Sequence, residues 1–217
     1  MHASPLHLLN SMPGNLYIIW SPSGGGKTSL VTALAARDSN VCRSVSHTTR
    51  AARAGEIDGR EYHFVDCATF QRMTGSGDFL EHAEVYGNYY GTSERWISDA
   101  LAAGRDIFLT IDWQGGVQVR RRFPGVIGIY VLPPSLAVLE QRLKARGQDS
   151  NEVVARRLAA ARDDLSHLIE FDYVIINDQF ETAVAELAAI VRAQRLKREA
   201  QMKRHESLIE NLMKGCE

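Results

Sequence analysis

A glycine-rich stretch near the amino terminus has the composition of a phosphate-binding loop. It lies between an apolar run, Leu16 to Trp20, that is typical of a strand and a segment, Ser29 to Ala35, that is typical of a helix. The stretch reads Ser21, Pro22, Ser23, Gly24, Gly25, Gly26, Lys27 and Thr28. Glycines let backbone N–H groups converge on phosphate oxygens, and the helix N-terminus adds partial positive charge. In a loop of this order, a Walker A loop, Lys27 would reach the β and γ phosphates of a nucleoside triphosphate, and Thr28 would give its hydroxyl to magnesium.

One residue departs from the Walker A pattern, because Ser21 stands where the first glycine is usual. A bare Gly-Lys-Thr or Gly-Lys-Ser also arises by chance in about one chain in ten of this size, so the tripeptide alone carries little weight. The preceding strand, the consecutive glycines and the following helix supply the context that the motif requires. The alternative interpretation is a glycine-rich turn that only caps a helix.

A second set of residues, in a polar and aromatic stretch, also has the chemistry of anion binding. Arg50 and Arg53 offer guanidinium groups, and Tyr62 and Tyr90 offer hydroxyls. Donors of this kind, held in place, suit a phosphate group. Taken alone, the two arginines would equally form a solvated face of a polar loop.

Four apolar runs rich in β-branched and aromatic residues predict the strands that position these groups. The runs are Leu16 to Trp20, Ile107 to Ile111, Ile127 to Leu132 and Tyr173 to Ile176. Each is separated from the next by room for helices, and their lack of alternation is typical of strands buried on both faces. We therefore predict an α/β fold, a parallel sheet covered by helices with right-handed crossovers.

Three further segments interrupt or extend that pattern. Between about Ser46 and Tyr90 the sequence becomes polar, aromatic and glycine-rich, which predicts an inserted module of short antiparallel strands. The arginine-rich stretch from Leu139 to Leu165 follows two prolines, Pro133 and Pro134, and predicts a helical lid. The tail from Ala183 to Met213 predicts a solvated amphipathic helix, which is favoured over a nucleic-acid-binding arm.

The composition limits the classes of protein to consider. The 217 residues include 25 Lys and Arg against 26 Asp and Glu, a formal net charge of −1, and 45% are hydrophobic. These values exclude disordered, collagen-like and coiled-coil chains. They also argue against a nucleic-acid binder that depends on bulk positive charge. We expect one main domain, and any anion site must be local.

The cysteines and the amino terminus indicate a cytoplasmic protein. Cys42, Cys67 and Cys216 are odd in number and widely spaced, so we expect free thiols rather than disulfides or a metal site. The opening residues lack the pattern of a signal peptide, and no apolar run approaches the roughly 18 residues of a membrane helix. Residues 1–11, before Met12, are expected to form a tail.

A series of motifs follows the glycine loop in a fixed order. They read Ser46-His47-Thr48-Thr49-Arg50, Gly59-Arg60-Glu61-Tyr62, Phe79-Leu80-Glu81-His82-Ala83, Gly87-Asn88-Tyr89-Tyr90-Gly91-Thr92 and Ile111-Asp112-Trp113-Gln114-Gly115. With the loop, they make the chain closely resemble guanylate kinase from Leu16 to Arg198. The resemblance implies an enzyme that transfers the γ phosphate of ATP to GMP, giving ADP and GDP. It also implies a P-loop nucleoside monophosphate kinase fold with a parallel-sheet core, a small mixed-β GMP-binding module and a helical lid.

The same resemblance implies the roles of individual residues. The residues expected to bind GMP are Ser46, Arg50, Arg53, Tyr62, Glu81, Tyr90, Thr92 and Asp112. The residues expected to bind ATP are the loop, Ser21 to Thr28, and Asn177. The residues expected to act on the transferring phosphoryl group are Lys27, Arg142, Arg146 and Arg157. Ser46, Thr92 and Asn177 have an alternative as caps of turns or strand ends.

The resemblance divides the chain into segments and implies its small-molecule partners. The expected segments are an N-terminal tail (1–15), core (16–45), GMP-binding module (46–95), core (96–138), lid (139–165) and core with a C-terminal helix (166–217). The implied substrates are ATP and GMP or dGMP, with Mg²⁺ as cofactor. Neither nucleic acid nor a membrane is an expected partner, and the oligomeric state is left open, a homo-oligomer included.

One departure from the family bears on magnesium. Most relatives carry an acid, usually Asp, two residues before Asp112, and this chain has Thr110 there. P-loop enzymes place their acidic magnesium partner at the end of an apolar strand, and Thr110 occupies such a position.

Two rival functions remain. A scaffold module of the same fold would lack a working phosphate loop, and a P-loop kinase for another substrate would lack Glu81, Ser46 and Thr92.

Overall fold

The computed structural model describes residues 14–85, 87–111, 113–145 and 150–214, with the side chains of residues 162–164 left aside. Its strands are β1 (Leu16–Trp20), β2 (Val41–Arg43), β3 (His47–Thr48), β4 (His63–Phe64), β5 (Phe79–Val85), β6 (Asn88–Ser93), β7 (Asp106–Leu109), β8 (Ile127–Leu132) and β9 (Tyr173–Ile176). Its helices are α1 (Lys27–Arg37), α2 (Cys67–Gly75), α3 (Glu94–Ala102), α4 (Trp113–Arg122), α5 (Leu136–Ala145), α6 (Asn151–Asp164), α7 (Phe180–Arg195), α8 (Arg198–Arg204) and α9 (Glu206–Lys214). Asp112, Arg146, Cys216 and the predicted tail at residues 1–11 lie outside the described residues.

The predicted parallel sheet is confirmed. Strands β2, β7, β1, β8 and β9 lie in that order, and every neighbouring pair is parallel. One strand differs from its predicted run, because β7 starts at Asp106 and stops at Leu109. Asp106 joins the strand since its backbone N–H donates to Asn40 O and its buried carboxylate accepts two hydrogen bonds from Asn15. The short strand β2 was not predicted.

Apolar clusters cover both faces of the central strands of this sheet, which explains why those strands lack alternation. The expectation of burial on both faces is wrong for the edge strand β9, where Val174 and Ile176 are exposed. Tyr17 and Ile19 of β1 point into one cluster, where helices α1 and α7 pack. Leu16 and Ile18 point into the other, where α3 and α4 pack. The central strand is therefore buried on both sides, and the glycine loop starts from its end.

A second sheet is formed by strands that lie between residues 47 and 93. Its order is β4, β3, β6, β5. The expectation of antiparallel strands holds for β3 with β6 and for β5 with β6, whereas β3 and β4 are parallel. Helix α2 covers one face of the sheet, where the ring of Phe70 stacks on Phe79 at 4.7 Å between centroids.

The helical segments differ in how they pack. Helices α5 and α6 share a small core of Leu139, Leu143, Val154 and Ala161. The expectation of a solvated helix over the tail is wrong for α7, because Leu187 lies in the main core. The tail also divides into three helices; α7 ends at Arg195, whose carbonyl accepts a hydrogen bond from Gln201 Nε2.

Two of the remaining expectations concern thiols and membrane spans. Cys42 and Cys67 are free, as predicted, with Cys42 buried and Cys67 exposed. Within the described ranges, none of the helices combines the length and apolar character needed to cross a membrane.

Candidate active site

The glycine loop leaves the main sheet at the end of β1 and turns directly into α1. Gly24 and Gly26 adopt positive φ angles of 96° and 99°, and Gly25 N donates to Pro22 O at 2.9 Å. Gly26 is the N-cap of α1, and no side chain of the described residues caps it. The first turn of α1 therefore points its N-terminal, partly positive end away from any capping side chain of the described residues, with Lys27 half-buried and Thr28 exposed beside it.

Packing explains why small residues are required in the loop. A Cβ atom at Gly24 would lie 3.1 Å from side-chain carbons of Leu139 and Leu143, which belong to α5. The departure at Ser21 is also accommodated there. The Ser21 hydroxyl donates to Pro22 O at 3.0 Å. It fills the space beside Gly25, where an added Cβ atom would lie only 2.7 Å from Ser21 Oγ.

Asn177 lies directly beneath the loop. Its side chain is buried, and Nδ2 donates to Gly25 O at 2.9 Å. The backbone of Asn177 is held on both sides, since its N–H donates to Leu132 O at 2.7 Å and its carbonyl accepts from Arg142 Nη2 at 2.9 Å. In this structure Asn177 therefore supports the loop backbone, in agreement with its place at the end of β9.

Two of the predicted arginines approach the loop from the helical segment. Arg142 on α5 reaches Asn177, and its buried Nη1 atom makes no hydrogen bond within the described residues. Arg157 on α6 donates from Nη1 to Ser23 Oγ at 3.3 Å. Side chains from two helices thus bring positive charge to the same edge of the main sheet.

A buried carboxylate and two hydroxyls form a chain on the second sheet. Glu81 on β5 is 3% exposed, and its Oε1 accepts from Thr92 Oγ1 at 2.5 Å. Glu81 and Thr92 are direct partners across the β5–β6 pairing. Ser46 Oγ lies 3.3 Å from Thr92 Oγ1. Burying a carboxylate is costly unless hydrogen bonds satisfy it, and the Thr92 hydroxyl supplies one of them.

Arg50, Tyr62 and Tyr90 also come together on the second sheet. The Arg50 guanidinium lies 5.3 Å from the centroid of the Tyr62 ring, and the rings of Tyr62 and Tyr90 meet edge to face at 5.8 Å. Burial raises the pKa of Tyr62 and keeps it a neutral hydrogen-bond donor. Arg53 lies at the rim, where its side chain is exposed.

Glu56 is a further residue of this cluster to which the sequence interpretation assigned no role. Both of its oxygens accept from Arg50 Nη2 at 2.8 Å, and Oε2 accepts from Arg53 N at 2.8 Å. Burial alone would lower the pKa of Arg50, but the hydrogen bonds and charge of Glu56 raise it above its ordinary value. Glu56 therefore orients Arg50. The only feature of the sequence that could have indicated this role is the presence of an acid a few residues after Arg50.

Thr110 lies immediately after β7 and is half-buried, beside the strand that leads into the glycine loop. Asp112 and Arg146, predicted for the acceptor and transfer groups, lie outside the described residues. In the part of the chain that the structure describes, no three His, Cys, Asp or Glu side chains group as a metal site would require.

A parallel sheet whose central strand runs through a glycine loop into a helix defines an α/β protein of the P-loop class. A family model described as guanylate kinase matches residues 13–194. A guanylate kinase of Methylobacillus flagellatus is 55% identical over 202 residues, 93% of this chain and 100% of that relative. One from Aromatoleum aromaticum is 56% identical over 194 residues, 89% of this chain and 95% of that relative. A crystal structure of guanylate kinase from Anaplasma phagocytophilum has a TM-score of 0.71 and 34% identity, covering 88% of this chain and 90% of that chain. The chain belongs to the guanylate kinase family.

Proposed function

We propose that this protein transfers the γ-phosphoryl group of ATP to GMP or dGMP, giving ADP and GDP or dGDP. The observation that carries the proposal is the buried carboxylate of Glu81, joined to the hydroxyls of Thr92 and Ser46. Guanine presents N1–H and the 2-amino group side by side, and a carboxylate accepts from both. Adenine presents a lone pair at N1, which would face the carboxylate oxygens and repel them, so it is strongly disfavoured.

The cluster around Arg50 suits the phosphate end of the acceptor. Arg50 is held by Glu56 and stacked on Tyr62, so its position is set before a ligand arrives. Preorganised guanidinium and phenol donors bind a phosphate at a lower entropic cost than mobile ones. In this proposal Arg53 and Tyr90 complete the group, and the resemblance adds Asp112 to the acceptor site.

The donor nucleotide is proposed to bind along the glycine loop. The N–H groups at the start of α1, which has no side-chain cap, and the ammonium of Lys27 would hold the β and γ phosphates. Arg142 and Arg157 approach the same loop from α5 and α6, and both would neutralise charge on the transferring group. The resemblance adds Arg146 to that set.

Phosphoryl transfer between these groups needs alignment more than proton removal. The attacking oxygen belongs to a phosphate whose second pKa is about 6, so it is largely ionised at neutral pH and needs no general base. What the protein contributes is in-line geometry and positive charge around the migrating group. The helical segment, proposed as a lid over residues 139–165, would exclude water when both nucleotides are bound.

The donor set at the loop fits a magnesium ion that is shared with ATP. Kinase sites hold Mg²⁺ through one or two protein oxygens, with phosphates and waters completing the shell. Thr28, exposed in the first turn of α1, offers such an oxygen. When bound, the ion would neutralise phosphate charge. Thr110 adds no charge at the end of β7, so either Thr28, the phosphates and water, with Asp112 by the resemblance, suffice for the ion, or activity is lower than the family's.

The decisive experiment is a coupled assay with GMP, dGMP, AMP, UMP and CMP as acceptors. We expect turnover with GMP and dGMP and discrimination against AMP of about 10⁴-fold. Glu81→Gln should lower kcat/KM for GMP by at least about 100-fold, because an amide donor then faces a guanine donor, while ATP affinity stays unchanged. Glu84→Gln, on the same strand and exposed, is the matched control. Equal use of AMP and GMP by the wild type, or a silent Glu81→Gln, would refute the guanine-reading role.

The rival scaffold function predicts binding without turnover. Lys27→Met separates the two, because it removes a fixed positive charge from the transferring group. We expect it to lower kcat by on the order of 100-fold or more. A scaffold module would show no phosphoryl transfer in the wild type and no change on substitution.

A further inference from the structure

The outer side of strand β5 is held by a helix of the main sheet. β5 is the last strand of the second sheet in the described part of the chain, so its outer backbone groups have no neighbouring strand. Gln118 on α4 takes the place of that strand at His82. Its Oε1 accepts from His82 N at 3.2 Å, and its Nε2 donates to His82 O at 2.7 Å. These two hydrogen bonds reproduce the pair that a residue of an adjacent strand would make.

Arg122 does the same for the preceding residues of β5. Its Nη1 donates to Phe79 O at 2.8 Å and to Leu80 O at 3.0 Å, and its Nη2 pairs with the carboxylate of Glu94 on α3. Gln118 and Arg122 are four residues apart on α4 and therefore lie on one face of that helix. One helix face thus binds the backbone on both sides of Glu81.

The regular pairing of strand β5 is interrupted beside Glu81. The register between β5 and β6 shifts between Phe79 and Glu81, and such an irregularity disturbs the ladder of backbone hydrogen bonds. On the inner side, the Glu81 carboxylate is held by the Thr92 hydroxyl. On the outer side, the constraint comes from the two side chains of α4.

We propose that Gln118 and Arg122 are positioning residues for Glu81, and that they set where its carboxylate meets the base of the acceptor nucleotide. This inference rests on the proposed function, since it assigns a mechanical support to the guanine-reading group. The contacts of Gln118 and Arg122 with β5 also tie the second sheet to the main core, because α4 packs in the core cluster through Val119. Recognition of guanine needs both carboxylate oxygens aligned with two donors at once. A shift of the strand therefore costs more with an acceptor that uses both oxygens than with one that uses a single oxygen.

The test compares GMP with IMP, which keeps N1–H and lacks the 2-amino group. Gln118→Met keeps the side-chain length and removes both hydrogen bonds to His82. We expect KM for GMP to rise about 10-fold or more, with KM for ATP unchanged. The ratio of kcat/KM for GMP to kcat/KM for IMP should fall, because the efficiency with IMP decreases less. Gln71→Met, an exposed glutamine on α2, is the matched control and should leave all constants within about 2-fold.

A double-mutant cycle tests whether Gln118 acts through Glu81. In a Glu81→Gln background, adding Gln118→Met should reduce GMP efficiency less than it does in the wild type. Independent, multiplying effects would overturn the inference. Arg122→Lys is a second variant, which keeps a positive charge near Glu94 but loses the two-carbonyl contact, and we expect it to lower the same GMP-to-IMP ratio.

The outcomes separate this inference from the proposed function. If the wild type does not phosphorylate GMP, the proposed function fails. If the wild type is active and Gln118→Met and Arg122→Lys keep the wild-type KM for GMP and the GMP-to-IMP ratio, the positioning role fails alone. A purely structural role would lower kcat equally for both acceptors, with KM unchanged and a lower melting temperature, and that result would also overturn it.

Discussion

Gly26→Ala should weaken nucleotide binding, because the added methyl group would collide with a side chain packed under the loop. Gly26 has a φ of 99° and caps α1, and a Cβ there would lie 2.4 Å from Asn177 Nδ2. Asn177 cannot retreat easily, because its side chain is bonded to Gly25 O and its backbone to Leu132 and Arg142. The new methyl group must therefore displace the loop rather than its support.

The size of the effect follows from that overlap. Ordinary carbon contacts begin near 3.4 Å, so the loop must move by roughly 1 Å. The left-handed backbone adds about 1–2 kcal/mol of strain for any residue with a Cβ. A displacement of about 1 Å in a positioning element costs on the order of 100-fold in rate. We therefore expect kcat/KM for ATP to fall about 100-fold.

The assay is kcat/KM for ATP at saturating GMP, with urea unfolding of the same variants. Gly77→Ala is the matched control, since Gly77 has a φ of 72° and a methyl group there would meet nothing within 4 Å. It should lose about 1 kcal/mol of unfolding free energy and keep its kinetic constants. If Gly26→Ala behaves kinetically like Gly77→Ala, the clash with Asn177 does not control the loop.

Three further predictions concern stability and the metal. Asp106→Asn should lower the free energy of unfolding by about 1–3 kcal/mol, because this 2% exposed carboxylate accepts from Asn15 and from Arg195 Nε at 2.6 Å. Arg195 keeps its second partner, Asp38. Urea unfolding measures the loss, and a value below about 1 kcal/mol would contradict the argument. Burial, with a contribution from His63, lowers the pKa of His47 in the folded protein. The contribution of neutral His47 to the free energy of unfolding is therefore complete above about pH 6.5 and is lost as the pH falls through the lower folded-state pKa. Unfolding measured against pH should therefore show a slope that His47→Gln reduces; an unchanged slope would assign it elsewhere. The other titratable groups that face this ring are Asp58 and Asp78. Thr110→Asp should leave turnover equal or higher and tighten the dependence on magnesium, measured by titrating Mg²⁺ at fixed ATP, whereas a clear loss would mean that the site is adapted to Thr110.

Local sequence determined the elements whose signals are carried by a few adjacent residues. Buried parallel strands need apolar side chains on both faces, so the runs at Leu16–Trp20 and Ile127–Leu132 coincide with β1 and β8. The run Tyr173–Ile176 coincides with β9, although one face of that edge strand is exposed. The turn from β1 into α1 could equally be predicted from the sequence, because the positive φ angles and close packing at Gly24 and Gly26 favour glycine. The family followed from the order of motifs along the chain.

Tertiary structure decided the features that depend on residues distant in sequence. Strands β3 and β4 have two residues each, too few for any periodicity. They are strands only because β3 pairs with β4 on one side and with β6 on the other. Helix α7 is buried by the face of the main sheet that happens to meet it, which its own amphipathic pattern does not specify. The apolar stripe predicted a helix but not its neighbour.

The supports of the candidate site were the least visible from the sequence. Asn177 lies 152 residues from Gly25, and Gln118 lies 36 residues from His82, yet each forms a hydrogen bond to the backbone of its distant partner. Such bonds depend on the carbonyl or N–H group that the fold presents, and every residue type except proline offers the same backbone groups. Sequence therefore determined which side chains carry the proposed chemistry, and only the folded backbone decided which other side chains hold them in place.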